Sequence, residues 1–197
     1  MTDAVLTKPI VEPKVDSTQK RWTYQDYLAL PDDGRRYEII EGTLYAANAP
    51  NAQHQFTVTE ISSEMRNFVK ANQLGIVLVA PFEVHLSEES RPVMPDVLFV
   101  RADRWPQTPI QFFEGAHDLV VEVISPSSIR LDRVVKFTSY EQAGVAEYWI
   151  TNPRTKVVEV YTLSNGEYAS LGEFSGDESI ESKVLAGIQI IAKTLFQ

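Results

Sequence analysis

Three β-rich runs constrain the fold of this chain more than any other feature. They read GIVLVAPFEVHL (75–86), VMPDVLFV (93–100) and DLVVEVI (118–124), and turn-forming residues bound each of them. Runs of β-branched and aromatic residues are typical of strands. AEYWIT (146–151) and KVVEVYTL (156–163) have the same character, with Asn152-Pro153 as the turn between them. The sequence therefore predicts one central sheet.

Helical patterns flank these strands. Residues 52–72 carry apolar side chains at helical spacing, and residues 129–143 form a second predicted helix that Gly144 ends. Thr23 is a predicted N-cap for a short helix over 24–30. The segment 35–48 predicts a hairpin turning at Glu41 and Gly42, a second hairpin turns at 165–166, and 182–196 fits a last strand and short helix. This order of elements predicts an α/β (α+β) fold with a central mixed sheet flanked by helices.

A chain of 197 residues suits one sizeable core. We expect a single domain over 21–197, preceded by a flexible tail over 1–20 that lacks apolar periodicity.

The chain has no cysteine, which excludes disulfides, thiolate metal sites and a cysteine nucleophile, and fits a cytoplasmic protein. We expect no secretory signal and no membrane span, since no apolar run approaches the roughly 18–20 residues a spanning helix requires. The net charge of −9 means that any contact with nucleic acid must rest on a local basic patch or a bound cation.

Glu122 is the misfit in the run 118–124. Strand alternation puts Val120, Glu122 and Ile124 on one face of the sheet. A buried carboxylate is costly unless a metal, a cation or several donors meet it. Either this face reaches solvent at a sheet edge, or something cationic lies beside Glu122.

Asp96 opens the preceding predicted strand, directly after Pro95. Taken alone it fits an ordinary turn. Together with Glu122 it places two carboxylates at the ends of neighbouring strands, which suits a hard cation such as Mg²⁺ that takes only one or two protein carboxylates.

Lys136 lies on the helix after the Glu122 strand, and a short connection would fold that helix back over the sheet. Its stem could carry the ammonium to Glu122. The alternative is an exposed pair with Asp132 at i,i+4 spacing, worth about 0.2 to 0.5 kcal/mol. Tyr140 shares the helical face of Lys136 and fits either a supporting role or the core.

Four segments together resemble the Uma family of restriction endonucleases, a branch of the PD-(D/E)XK nuclease superfamily. They are RYEIIEGTLYAANAPNAQHQ, MPDVLFV, DLVVEVISPSS and DRVVKFTSYEQAGVAEYWITNP, and the resemblance spans roughly residues 22–195. It implies a restriction-endonuclease-like fold, with Asp96 and Glu122 as Mg²⁺ ligands and Mn²⁺ as a substitute ion. The superfamily's usual lysine would fall at Ile124, so the resemblance implies that Lys136 supplies the ammonium from the next helix.

Two further residues enter through the same resemblance. Glu41 resembles an extra N-terminal acid that many such nucleases add to the site, and is otherwise a hairpin-turn residue. His54 stands where the family often has a histidine, and is otherwise a polar residue at a helix start. We thus expect Asp96, Glu122, Lys136 and Glu41 as catalytic residues, with His54 and Tyr140 as accessories.

The leading functional hypothesis is a Mg²⁺-dependent endonuclease that hydrolyses DNA phosphodiester bonds with a metal-activated water. Cutting both strands of a duplex would be simplest for a two-fold homodimer. The alternative, which the net acidity favours, is a catalytically silent interaction or regulatory module that keeps the nuclease fold.

Overall fold

The computed structural model describes residues 21–47 and 49–197, so the expected N-terminal tail lies outside the described residues. The helices are α1 (Tyr24–Leu28), α2 (Ala52–Ala71) and α3 (Phe137–Ala143); a π-helical turn over Leu131–Lys136 leads directly into α3, and a 3-10 turn covers Ala192–Leu195. The strands are β1 (Arg36–Ile40), β2 (Thr43–Ala47), β3 (Gly75–Val79), β4 (Glu83–His85), β5 (Val97–Arg101), β6 (Phe112–Glu114), β7 (Leu119–Val123), β8 (Glu147–Asn152), β9 (Val157–Ser164), β10 (Glu167–Ser175), β11 (Ser179–Ile180) and β12 (Ile190–Ile191).

Six strands form the central sheet in the order β10-β9-β8-β7-β5-β3. The pair β7 and β8 is parallel, and the other neighbours are antiparallel. The predicted mixed α/β architecture is therefore confirmed. Because β7 has neighbours on both sides, its side chains cannot reach solvent at a sheet edge.

Each face of the sheet carries its own apolar core. Helix α2 packs Ile61, Met65 and Val69 against one face, where Val121 and Val123 of β7 also point. The opposite face, with Val120 and Ile124, meets Ile40 of the β1–β2 hairpin and Tyr140 of α3. The alternation predicted for residues 119–124 is confirmed, and it turns Glu122 toward α3.

The predicted continuous strand over 75–86 was wrong. Strand β3 ends at Val79, and β4 instead pairs in parallel with β6, outside the central sheet. Pro81 stands at the break, and since proline has no backbone N–H it cannot continue a ladder of hydrogen bonds. Strand β6 was not predicted because its three residues are too few to show a period.

The β1–β2 hairpin turns as predicted at Glu41 and Gly42, which have φ values of 51° and 71°. Positive φ at both central residues is the geometry of a two-residue hairpin turn that matches strand twist. Among the described residues, no helix combines the length and the apolar character needed to cross a membrane.

Candidate active site

Glu122 lies in the middle of the sheet and is 3% exposed. Its face is covered by the helical segment that follows β7. That segment returns over the sheet after a short loop in which the Ser125 N–H donates to Ser128 Oγ at 2.9 Å and the Asp132 N–H donates to the Ser128 carbonyl at 2.9 Å. The buried carboxylate therefore meets side chains from this helix.

Lys136 supplies the cation that Glu122 requires. Its Nζ lies 2.9 Å from Glu122 Oε1 and 3.0 Å from Glu38 Oε1. The exposed helix pair with Asp132 is not what the structure shows, because Lys136 and Asp132 are both buried and the ammonium is paired with Glu122 and Glu38. Ile124, at the superfamily's usual lysine position, is buried in the core on the same face.

Tyr140 points to the same carboxylate oxygen, since its hydroxyl donates to Glu122 Oε1 at 2.7 Å. The π-helical turn spans Asp132 and Lys136 and ends one turn before Tyr140. Such turns widen a helix by one residue and recur at functional sites. Here the turn accompanies the burial of all three polar side chains against the sheet.

Asp96 precedes β5, and the pairing of Val97 with Val121 places it across from Glu122 on the neighbouring strand. Its Oδ2 accepts a hydrogen bond from the Val123 N–H at 2.8 Å and lies 3.2 Å from His54 Nε2. The Asn51 side chain caps α2 by accepting from the His54 N–H at 2.9 Å. The first turn of α2 thus brings His54 to Asp96.

Glu38 is the site residue that sequence reasoning missed. It is 6% exposed, and its Oε1 accepts from the Met94 N–H at 2.6 Å in addition to contacting Lys136. A signal was present in β1, because period-two alternation puts Glu38 on the same face as Ile40, a residue of the core.

Glu41 occupies a different position from Glu38. It is exposed at the hairpin turn, and its Oε1 accepts from Ser90 Oγ at 2.9 Å and from Ser139 Oγ at 3.1 Å. The structure therefore brings Glu38 directly to Lys136, whereas Glu41 approaches the site through the serine that precedes Tyr140.

Burial dominates the electrostatics of this cluster. Desolvation raises the pKa of Glu122 well above its usual value; the neighbouring Lys136 works against this rise, and Asp96 adds to it. Desolvation also raises the pKa of Asp132, to about 6. Burial would lower the pKa of Lys136, but Glu122 and Glu38 more than reverse this and hold it well above its usual value. One ammonium thus faces several carboxyl groups, so an added cation would stabilise the cluster.

The donor set fits a partly hydrated hard cation. Asp96 and Glu122 each engage one oxygen, and the second oxygen of each makes no hydrogen bond to another described residue. Within residues 21–47 and 49–197, no group of three or more histidines and acids is placed to hold a metal ion. An all-protein cage is thereby disfavoured, whereas Mg²⁺ commonly takes one or two carboxylates and completes its shell with water.

Comparisons with known proteins give the family and the fold. Residues 24–193 match the Uma2 family, described as "Putative restriction endonuclease". A "putative nuclease belonging to DUF820" from Anabaena variabilis, solved by crystallography, superposes with a TM-score of 0.75 at 20% identity, covering 88% of this chain and 96% of its own. That likeness shows the shared fold, and among curated proteins none matches. Because the family match covers most of the sequence, the chain belongs to the Uma2 family of restriction-endonuclease-like proteins.

Proposed function

We propose that the protein is a Mg²⁺-dependent endonuclease that hydrolyses phosphodiester bonds of DNA. The observation that carries the proposal is the pair of opposed carboxylates, Asp96 and Glu122, with the Lys136 ammonium 2.9 Å from one of them. Family membership supports the nuclease class. The metal ion, the DNA substrate and the roles of the residues are part of the proposal.

Asp96 and Glu122 would hold the ion through their second oxygens. When bound, Mg²⁺ supplies Lewis-acid chemistry, making water easier to deprotonate and offsetting negative charge on a phosphate. Lys136 stays charged beside Glu122, where it orients that carboxylate and attracts the scissile phosphate. This division of roles needs no covalent enzyme intermediate.

Four side chains position these groups. The Tyr140 hydroxyl holds the engaged oxygen of Glu122, and His54 holds that of Asp96, so both free oxygens stay available. Glu41 would act from the rim through Ser139, and Glu38 holds the Lys136 ammonium together with Glu122. We further propose that residues 21–197 act as one domain and that duplex cleavage uses a two-fold homodimer.

The test is nicking of supercoiled plasmid with Mg²⁺ or Mn²⁺. We expect Asp96→Asn, Glu122→Gln and Lys136→Ala to lower the rate at least about 100-fold, because loss of even a supporting group around a metal commonly costs 10–100-fold. Glu64→Gln, a carboxylate-to-amide change at an exposed position of α2, is the matched control and should nick like wild type. Absence of nicking by folded wild type, or equal rates for all variants, would refute the proposal.

The catalytically silent module is the second candidate, and the net charge of −9 favours it. Divalent-ion binding, measured together with nicking, separates the two. We expect Mg²⁺ to raise the melting temperature of wild type and of Glu64→Gln, but not of Glu122→Gln. Stabilisation by Mg²⁺ without any nicking would support the silent module over the enzyme.

A further inference from the structure

A cavity lies far from the candidate active site. Its volume is about 400 Å³, and its lining includes Arg66, Lys70, Gln73, Gly75, Ile76 and Trp105. Arg66 follows His54 by twelve residues on α2, which corresponds to about 18 Å along the helix axis. The cavity thus opens between the last turns of α2 and β3, the edge strand of the central sheet.

Two cations that line this cavity have no side-chain partner among the described residues. Arg66 and Lys70 are exposed and lie one helical turn apart, and neither side chain forms an ion pair or hydrogen bond with another described residue. Arg101 and Arg104, by contrast, both pair with Asp118. Like charges at i,i+4 spacing repel each other. In a chain with a net charge of −9, this unneutralised pair marks a local site for an anion.

Trp105 and Ile76 supply apolar lining to the same cavity. Trp105 is half-buried, and its indole stacks on Phe113 with ring centroids 6.1 Å apart and an angle of 12° between the planes. This packing limits the orientations of the indole. Ile76, which is 36% exposed, extends this apolar lining along β3.

The remaining lining residues are Val69, Gln73, Gly75, Val77 and Ala102. Gly75 has φ +153°, and an added Cβ would lie 2.1 Å from the Val100 carbonyl oxygen, so no larger residue fits there. Gln73, exposed at the end of α2, brings an amide that can both donate and accept hydrogen bonds. The cavity therefore combines paired cations, an aromatic ring and a neutral polar group.

We propose that this cavity binds a nucleotide, with the phosphate on Arg66 and Lys70 and the base against Trp105. Arginine and lysine recognise phosphate oxygens, and bases stack on aromatic side chains without strong sequence preference. A volume of about 400 Å³ lies within the range of small-ligand sites. Free nucleotides and nucleotides within a single strand share this chemistry. The proposal stands whether or not the Asp96–Glu122 site is catalytic.

The experiment titrates the full-length protein with deoxyadenosine monophosphate by calorimetry in EDTA, so that no divalent ion contributes. We expect saturable one-to-one binding, tighter than that of inorganic phosphate. Arg66→Gln with Lys70→Gln should weaken it at least about tenfold, and Trp105→Leu at least about fivefold. The control pair, Arg154→Gln with Lys156→Gln, removes the same charge from the exposed β8–β9 turn and should bind like wild type.

A single-stranded deoxyadenosine oligonucleotide distinguishes the two sources. If it competes with the monophosphate and loses affinity in the Arg66 and Lys70 variant, the site takes nucleotides of a strand; if the monophosphate alone binds, the site takes free nucleotides. Absence of saturable binding, equal weakening by the control pair, or phosphate binding as tight as the monophosphate would overturn the proposal. Circular dichroism of each variant checks that the substitutions leave the fold intact.

Discussion

Two glutamates are buried on adjacent strands of the central sheet, and they differ in the number and charge of their hydrogen-bond donors. Glu147 on β8 is 0% exposed and accepts four hydrogen bonds: from Trp149 Nε1, Ser182 Oγ, and the backbone N–H groups of Lys183 and Val184. Glu122 on β7 accepts from Lys136 and Tyr140 through one oxygen only.

The two glutamates differ in whether a carboxylate oxygen remains available to a ligand. Both oxygens of Glu147 are engaged by neutral donors that tie the C-terminal segment to the sheet, which is a structural task. Glu122 has a cationic partner, an oxygen without a hydrogen bond to the described residues, and Asp96 across from it. Burial of a carboxylate in a strand therefore does not by itself indicate a functional site; the identity of its partners does.

Lys136→Met gives the largest expected effect in this comparison. It leaves Glu122 and Glu38 buried without their counter-charge, and breaking a buried ion pair commonly costs about 3–5 kcal/mol of unfolding free energy. Urea unfolding measures the loss. Glu122→Gln combined with Lys136→Met should recover part of it, and Lys156→Met, at an exposed turn position, is the control. A loss below about 1 kcal/mol would mean that the ion pair does not stabilise the fold.

Glu147→Gln should lower the unfolding free energy by less than Lys136→Met does, and should leave the response to Mg²⁺ unchanged. The amide presents an NH₂ group to donors that need an acceptor, so we expect a loss of about 1–3 kcal/mol of unfolding free energy. The rise in melting temperature with Mg²⁺ should persist, in contrast to Glu122→Gln. Glu173→Gln, at an exposed position of β10, is the matched control. Loss of the Mg²⁺ response in folded Glu147→Gln would erase the distinction between the two glutamates.

His117 extends the comparison, because it is 0% exposed and neither ring nitrogen has a hydrogen-bond partner among the described residues. Burial lowers its pKa from 6.5 to about 3. Between these values the unfolded chain binds a proton that the folded chain does not, so this contribution to stability falls as pH falls from about 6.5 towards 3. Asp132, whose pKa is raised from 3.8 to about 6, acts with the opposite sign, because its folded form holds the extra proton.

The measurement is unfolding free energy between pH 4 and pH 6 for wild type, His117→Leu and Asp132→Asn. Relative to wild type, stability of His117→Leu should rise less steeply with pH, and that of Asp132→Asn more steeply. Each difference should reach at most about 1.4 kcal/mol per pH unit. Parallel pH profiles for all three proteins would contradict both assignments.

Much of the sheet could be predicted because its strands are long enough to show their period. The alternation over 119–124 correctly assigned Glu122 to one face, and the hairpin turn at Glu41 and Gly42 follows from local residue types. Strand β6 and the break at Pro81 escaped prediction, because a three-residue strand has no period and because the run 75–86 looked continuous.

In the candidate site, too, local spacing predicted some features and tertiary packing decided the others. The sequence by itself determined that Glu122 would stand in an apolar strand, that Asp96 would open another strand, and that Lys136 and Tyr140 would share a helical face, since these follow from spacing of 2 and 3.6 residues. Only the tertiary structure decided that the ammonium meets Glu122 and Glu38 rather than Asp132, and that Glu147 is saturated by Ser182 and its neighbours. Lys136 is 14 positions from Glu122, and Ser182 is 35 positions from Glu147. Lys136 also lies at the end of a π-helical turn. Local periodicity carries no information on how such distant segments pack.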